Sequence, residues 1–169
     1  RRDHPHTRIA AIVCEVAQGA VGLVVEPWER KLRPETGYDG RFSLPYVVAA
    51  MLVHGACGTA QFTDTAVLDP GVLTLMQKIS YRVDPLFQHR DMPARLVVTL
   101  ADGSVQRYER MEGRGGSAAP VSLEELLAKF HANAQALPRW QAERIAELVL
   151  SLDELASLEE LAGLLRGGA

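Results

Sequence analysis

Alternating, all-apolar and helically spaced hydrophobic positions divide the chain into its elements. Ile9 to Val16 (IAAIVCEV) alternates as a strand does. Ala10, Ile12, Cys14 and Val16 share one wholly apolar face, expected on the core, and Ile9, Ala11, Val13 and Glu15 share the other. Arg41 to Gly55 (RFSLPYVVAAMLVHG) carries helix punctuation at both ends. Ser43 suits the N-cap, Pro45 the first turn, and Gly55 the left-handed position beyond the last turn. Val47 to Val53 are apolar on every side, which predicts a buried helix.

The remaining elements follow by the same rules. Ala20 to Val25 fits a short helix or a strand, and Pro27 to Gly40 reads as a loop feeding the buried helix. Asp69 or Thr65 can cap a helix over Pro70 to Ile79, with Val72, Leu73, Leu75, Met76 and Ile79 on one face. Ser80 to Asp84 alternates as a short strand. Arg95 to Ala101 and Ser104 to Glu109 flank Asp102-Gly103, the signature of a type I′ hairpin. That turn would set Leu100 opposite Val105 and Val97 opposite Tyr108.

The tail is helical. A capping box at Ser122 to Glu125 opens a helix with Leu123, Leu126, Leu127, Phe130 and Ala134 in one stripe. Pro138 opens a second, with Ile145, Leu148, Val149 and Leu152 inward. Ser157 to Glu160 opens a third, with Leu161, Leu164 and Leu165, stopped by Gly167 and Gly168. The order predicts an α+β fold: a small mixed or antiparallel sheet packed with helices, and a C-terminal helical tail. One domain over 1–169 is expected, with sheet and buried helix in 1–120 and the tail in 121–169.

Composition changes this picture little. The chain has 169 residues, is 47% hydrophobic, and carries a net charge of −3. That charge argues against a nucleic-acid or membrane-surface partner, since both favour basic patches. No apolar run reaches the roughly 18 residues of a membrane span. Cys14 and Cys57 form no CxxC pair and read as buried thiols in a reducing, cytoplasmic setting. The chain begins at Arg1 without a methionine, as a processed chain or a piece of a longer one would.

Candidate chemistry concentrates at the buried helix. Tyr46 places a phenol in its first turn, and a buried phenol needs a partner, either protein or ligand. Backbone N–H groups at that end would suit an anion, and Arg41 just before it could hold a carboxylate. Arg41 reads equally as a solvated charge. His4 and His6 could share a metal on an extended segment, but no third ligand is evident, and a solvated terminus is the simpler reading. His54 suits a helix C-terminus, and His89 and His131 belong to no nucleophile motif. There is no GxSxG, no HExxH, and no phosphate loop in the glycine-rich stretch 112–120.

Several stretches together carry a resemblance. FSLPYVVA within Arg41 to Gly55, AQFT at Ala60 to Thr63, the Asp69 to Ile79 helix, the Asp102-Gly103 hairpin and PVSLEELLAKF from Pro120 to Phe130 occur in the order of the MmgE/PrpD family's C-terminal domain. The chain resembles that domain over most of its length. The family includes 2-methylcitrate dehydratase-like lyases and related decarboxylases and epimerases of small polycarboxylates. The resemblance implies proton abstraction next to a carboxylate without metal or organic cofactor. It implies that most acid–base residues belong to an N-terminal helical domain upstream of Arg1. This chain would be the lid over their cleft, inactive alone, and the whole protein a homodimer. Tyr46, with Arg41 and Ser43, would contact substrate carboxylates. The rival expectation is a non-enzymatic ligand-binding or protein-interaction domain.

Overall fold

In a computed structural model, described over residues 8–166, the chain divides into two compact units, Arg1–Pro120 and Val121–Ala169. The first holds a four-stranded mixed sheet. Its strands are β1 (Ile9–Val16), β2 (Ile79–Val83), β3 (Ala94–Leu100) and β4 (Val105–Arg110), in spatial order β2-β1-β3-β4. β1 runs parallel to β2 and antiparallel to β3, and β3 and β4 form a hairpin. The parallel pair needs a long crossover. That crossover contains α1 (Trp28–Lys31), α2 (Gly37–Arg41), α3 (Leu44–His54) and α4 (Pro70–Met76).

The core lies between one sheet face and α3 and α4. Ile12, Cys14, Val98 and Leu100 meet Tyr46, Ala49, Ala50, Val72, Leu75 and Met76 there. The expected core face of β1 holds at Ile12, Cys14 and Val16, but Ala10 is exposed and Ile9 is buried instead. A bulge explains the exchange. The pairing shifts between Ile9 and Ala11, so Ile9 opposes Leu100 on the core face.

α3 has the expected caps. Ser43 Oγ accepts from Tyr46 N at 3.1 Å, and Gly55 takes φ 73°. It is not buried all round. Pro45, Tyr46, Ala49 and Ala50 are buried, whereas Met51 is 47% exposed. A helix resting on a single sheet has one covered face, and an all-apolar sequence does not supply a second layer.

The hairpin also differs from its expected type. Gly103 N donates to Leu100 O at 2.9 Å and Gly103 alone in the turn has positive φ, at 83°. The loop is therefore three residues with a left-handed glycine, and Val105 pairs with Thr99 and Tyr108 with Leu96. Asp102 does not take a left-handed conformation; its carboxylate accepts from Ser104 N at 2.9 Å and Ser104 Oγ at 2.6 Å.

On the opposite sheet face, one charged row crosses all four strands. Arg82, Glu15, Arg95 and Glu109 are successive cross-strand partners of alternating sign. Glu15 is fully buried and bonded by both Arg82 and Arg95. Arg95 also reaches Glu109 at 2.9 Å and lies 5.1 Å over the Phe87 ring.

The second unit packs three helices: α5 (Leu123–Asn133), α6 (Arg139–Leu150) and α7 (Glu159–Leu165). The Ser122–Glu125 capping box forms as expected. Ile145, Leu148 and Leu161 are its buried centre. Leu123, Leu126, Val149, Leu152 and Leu165 all remain about half exposed or more, so the sequence stripes exceed what three short helices cover. Ser157 does not cap α7; Leu158 takes that place and Ser157 Oγ accepts only from Glu159 N at 3.2 Å. Among the described residues, no helix is long and apolar enough to cross a membrane.

The Glu15 row generates a pH prediction. Burial raises its pKa, but the hydrogen bonds from Arg95 and Arg82 outweigh this and hold it below the ordinary range. A depressed folded pKa gives stability that is present above the unfolded value, about 4.3, and is lost as pH falls through the folded value. Glu15→Gln should lower stability at pH 7 by about 1–3 kcal/mol, since both arginines lose a charge-assisted bond to it while Arg95 keeps Glu109 and Asp84. It should also flatten the acid limb below about pH 4.3. Denaturant unfolding across a pH series reads both effects.

Candidate functional site

The start of α3 is closed by its own side chains. Ser43 is 1% exposed, accepts from Tyr46 N, and donates through Oγ to Lys31 O at 2.6 Å. Pro45 has no N–H to offer. The expected array of free donors at this helix end is therefore largely used up, and an anion needs another partner here.

Tyr46 is wholly inaccessible, at 0% exposure. Its hydroxyl donates to the Gln61 carbonyl. Burial, and then the neighbouring Cys57 thiol and Asp69 carboxylate, push the phenol above its ordinary pKa, so it stays a neutral donor. Gly40 lies directly on the ring. A Cβ there would come within 3.1 Å of two ring carbons and 2.9 Å of Val67 Cγ1.

Gln61 belongs to the short helical turn Thr59–Phe62. Its side-chain oxygen accepts from Gly58 N at 2.9 Å, which closes the turn. The turn is pressed against α2. A Cβ at Gly37 would fall 1.9 Å from the Phe62 carbonyl oxygen, so this contact requires glycine. Gly37 N donates to Asp64 Oδ1 at 2.8 Å, and Thr36 with Asp39 forms a capping box at the other edge.

Arg41 ends α2 and is exposed. Its guanidinium carbon sits 5.8 Å from the Phe62 ring centroid. The Phe62 ring lies 6.1 Å from the Tyr46 ring. Phe62 thus contacts both, and Arg41 pairs with no carboxylate among the described residues. An exposed cation on an aromatic face can take one oxygen pair of a carboxylate in a bidentate grip.

Of the three expected contact residues, the structure leaves Arg41 open and places Ser43 and Tyr46 in the interior with their polar atoms engaged. Sequence reading passed over Gln61, Phe62, Gly37 and Gly40. The i, i+3 glycines of GYDG were a signal of close backbone approach inside an apparent loop. A cleft of about 290 Å³ opens beside this stretch, lined by Arg30, Lys31, Tyr38 and Phe42 among others.

His54 does not join this arrangement. His54 Nε2 lies 3.6 Å from Asp69 Oδ2, the carboxylate that caps α4. His131 stands edge-on to Phe130 in the second unit, and His4 and His6 lie outside the described residues. Among the described residues, no three His, Cys, Asp or Glu side chains gather as a metal site. Burial raises the Cys57 thiol pKa and pushes that of Cys14 up to about 12, so neither is a ready thiolate.

Fold and site define an α+β domain, a mixed four-stranded sheet packed with helices, that carries an exposed arginine over an aromatic ring. The family model of the MmgE/PrpD C-terminal domain matches residues 1–154, and the chain belongs to that family. It is 30% identical over 137 residues to human cis-aconitate decarboxylase, covering 79% of this chain and 28% of that protein. It is 29% identical over 144 residues to the cis-aconitate decarboxylase of Aspergillus terreus, covering 82% and 29%. A cis-aconitate decarboxylase-like protein of Aspergillus oryzae is 30% identical over 147 residues, covering 83% and 30%. The chain spans less than a third of the length of these relatives.

Tyr46→Phe should lower unfolding free energy by about 1–3 kcal/mol, because the Gln61 carbonyl loses its buried donor. Thermal or denaturant melts of the two proteins check this.

Proposed function

We propose that this chain is the substrate-side lid domain of a cofactor-independent lyase that acts on a small polycarboxylate. Decarboxylation of cis-aconitate is the reaction to test first, and dehydration of 2-methylcitrate the second. The observation that carries this reading is Arg41: an exposed guanidinium, seated on Phe62 and unpaired with any carboxylate among the described residues. The family membership and the decarboxylase relatives support it.

Arg41 binds one carboxylate of the substrate. Ser43 and Tyr46 serve this contact by fixing the start of α3 and the turn beneath the arginine. For Tyr46 to meet the substrate itself, its hydroxyl would leave the Gln61 carbonyl and the lid would open around it. The acid–base groups that take a proton next to a carboxylate come from the rest of the protein. His54 is engaged by Asp69 and forms no base beside Arg41. The whole protein is a cytoplasmic homodimer in this reading. The alternative, a non-enzymatic binding domain, predicts no turnover at all.

The test uses the full-length polypeptide with cis-aconitate, following substrate loss and carbon dioxide release. Turnover is expected in the whole protein and none in the isolated 169-residue chain. Arg41→Gln should raise KM about 10- to 100-fold, the worth of a charge-assisted pair. Turnover by the isolated chain would end the lid assignment, and an unchanged KM in Arg41→Gln would remove Arg41 from the site.

A further inference from the structure

From the packing of the Ala60–Thr63 stretch, we infer that Phe62 is a positioning residue that sets the carboxylate affinity of Arg41, and that the Tyr46–Gln61 hydrogen bond holds Phe62 in place. This rests on the reading of Arg41 as the substrate contact. It assigns a role to the AQFT stretch, which otherwise has none.

Three independent contacts hold residues 59–62. The Tyr46 hydroxyl donates to the Gln61 carbonyl from below. The Gln61 side chain closes the turn on Gly58 N at 2.9 Å. The bare α-carbon of Gly37 lets α2 press against the Phe62 carbonyl, where any Cβ would lie 1.9 Å away. A backbone pinned on two sides gives the Phe62 side chain few alternatives, and its ring packs 6.1 Å from that of Tyr46.

Arginine has several rotatable bonds, and ordering an exposed one for a ligand costs rotamer entropy at each binding event. The Phe62 face at 5.8 Å attracts the guanidinium and restricts it before the ligand arrives. A ring contact of this kind consumes none of the guanidinium's five N–H donors as a conventional hydrogen bond, so they stay available to a carboxylate. Gly37, Gly40 and Arg41 lie on the same short helix, so the contact that seats the turn also sets where Arg41 begins.

The test compares four full-length proteins on cis-aconitate: wild type, Arg41→Gln, Phe62→Leu and Phe62→Tyr. Phe62→Leu should raise KM about three- to tenfold with kcat nearly unchanged, because binding is lost equally in ground and transition states. Phe62→Tyr, which keeps a ring, should restore KM. Adding Phe62→Leu to Arg41→Gln should raise KM no further, since both act through one contact. If Phe62→Leu melts below the assay temperature, Phe62→Met, closer in its flexibility to the lost ring volume, takes its place. A wild-type KM in the leucine or methionine variant, or an additive double variant, overturns the positioning role alone. An unchanged KM in Arg41→Gln overturns both this role and the reading beneath it.

Discussion

A single buried hydroxyl organises the first unit. Tyr46 is sealed in the core, and a phenol there must donate a hydrogen bond to something. It donates to the Gln61 carbonyl, fifteen residues on. That bond ties the first turn of α3 to a segment with little regular structure of its own. Around it, Gly40 supplies the space on the ring and Gly37 the space at the turn. Without the hydrogen bond, the turn would carry an unsatisfied carbonyl against an apolar wall. Without the glycines, α2 could not reach it. Ser43 completes the arrangement by linking α3 back to Lys31.

The two sheet faces solve different problems. One is covered by helices and is apolar, as layered packing requires. The other carries the Arg82–Glu15–Arg95–Glu109 row, where neutralisation across strands replaces apolar burial. Glu15 is inaccessible because two arginines and the segment around Phe87 cover it. Such a row makes register a matter of charge as well as shape, since a one-residue slip would set each carboxylate against an apolar neighbour. The row is rigid support for the strands. Arg41, on the helical side, has no such carboxylate partner among the described residues.

Much of the fold was legible beforehand because its signals are local. Ser43, Pro45 and Gly55 bound α3 through their own backbone preferences, and β1 follows from alternation. The misreadings have a common cause. The Ile9 bulge, the three-residue hairpin loop and the uncovered face of α3 each depend on a neighbour that is distant in sequence. Ile9 turns inward because Leu100 is opposite it. Met51 stays exposed because no second layer among the described residues of the unit covers it. In the tail, leucine spacing marks helices well, yet spacing says nothing of how many partners will cover them.

The candidate site divides the same way. The residues themselves named the helix, the phenol and the arginine, and the ordered motifs named the family, because these depend on residue type and order along the chain. Which of the polar atoms would be free depended on packing. Ser43 and Tyr46 satisfy each other's surroundings in the interior, and Arg41 emerges alone on the surface over Phe62. Hydrogen-bond satisfaction is a property of the folded neighbourhood, so no local pattern could have assigned it. The sequence by itself determined the caps of α3, the strand character of β1 and which residue types could meet a carboxylate. Only the tertiary structure decided which one is left without a partner, because that choice is made by contacts between segments far apart in the chain.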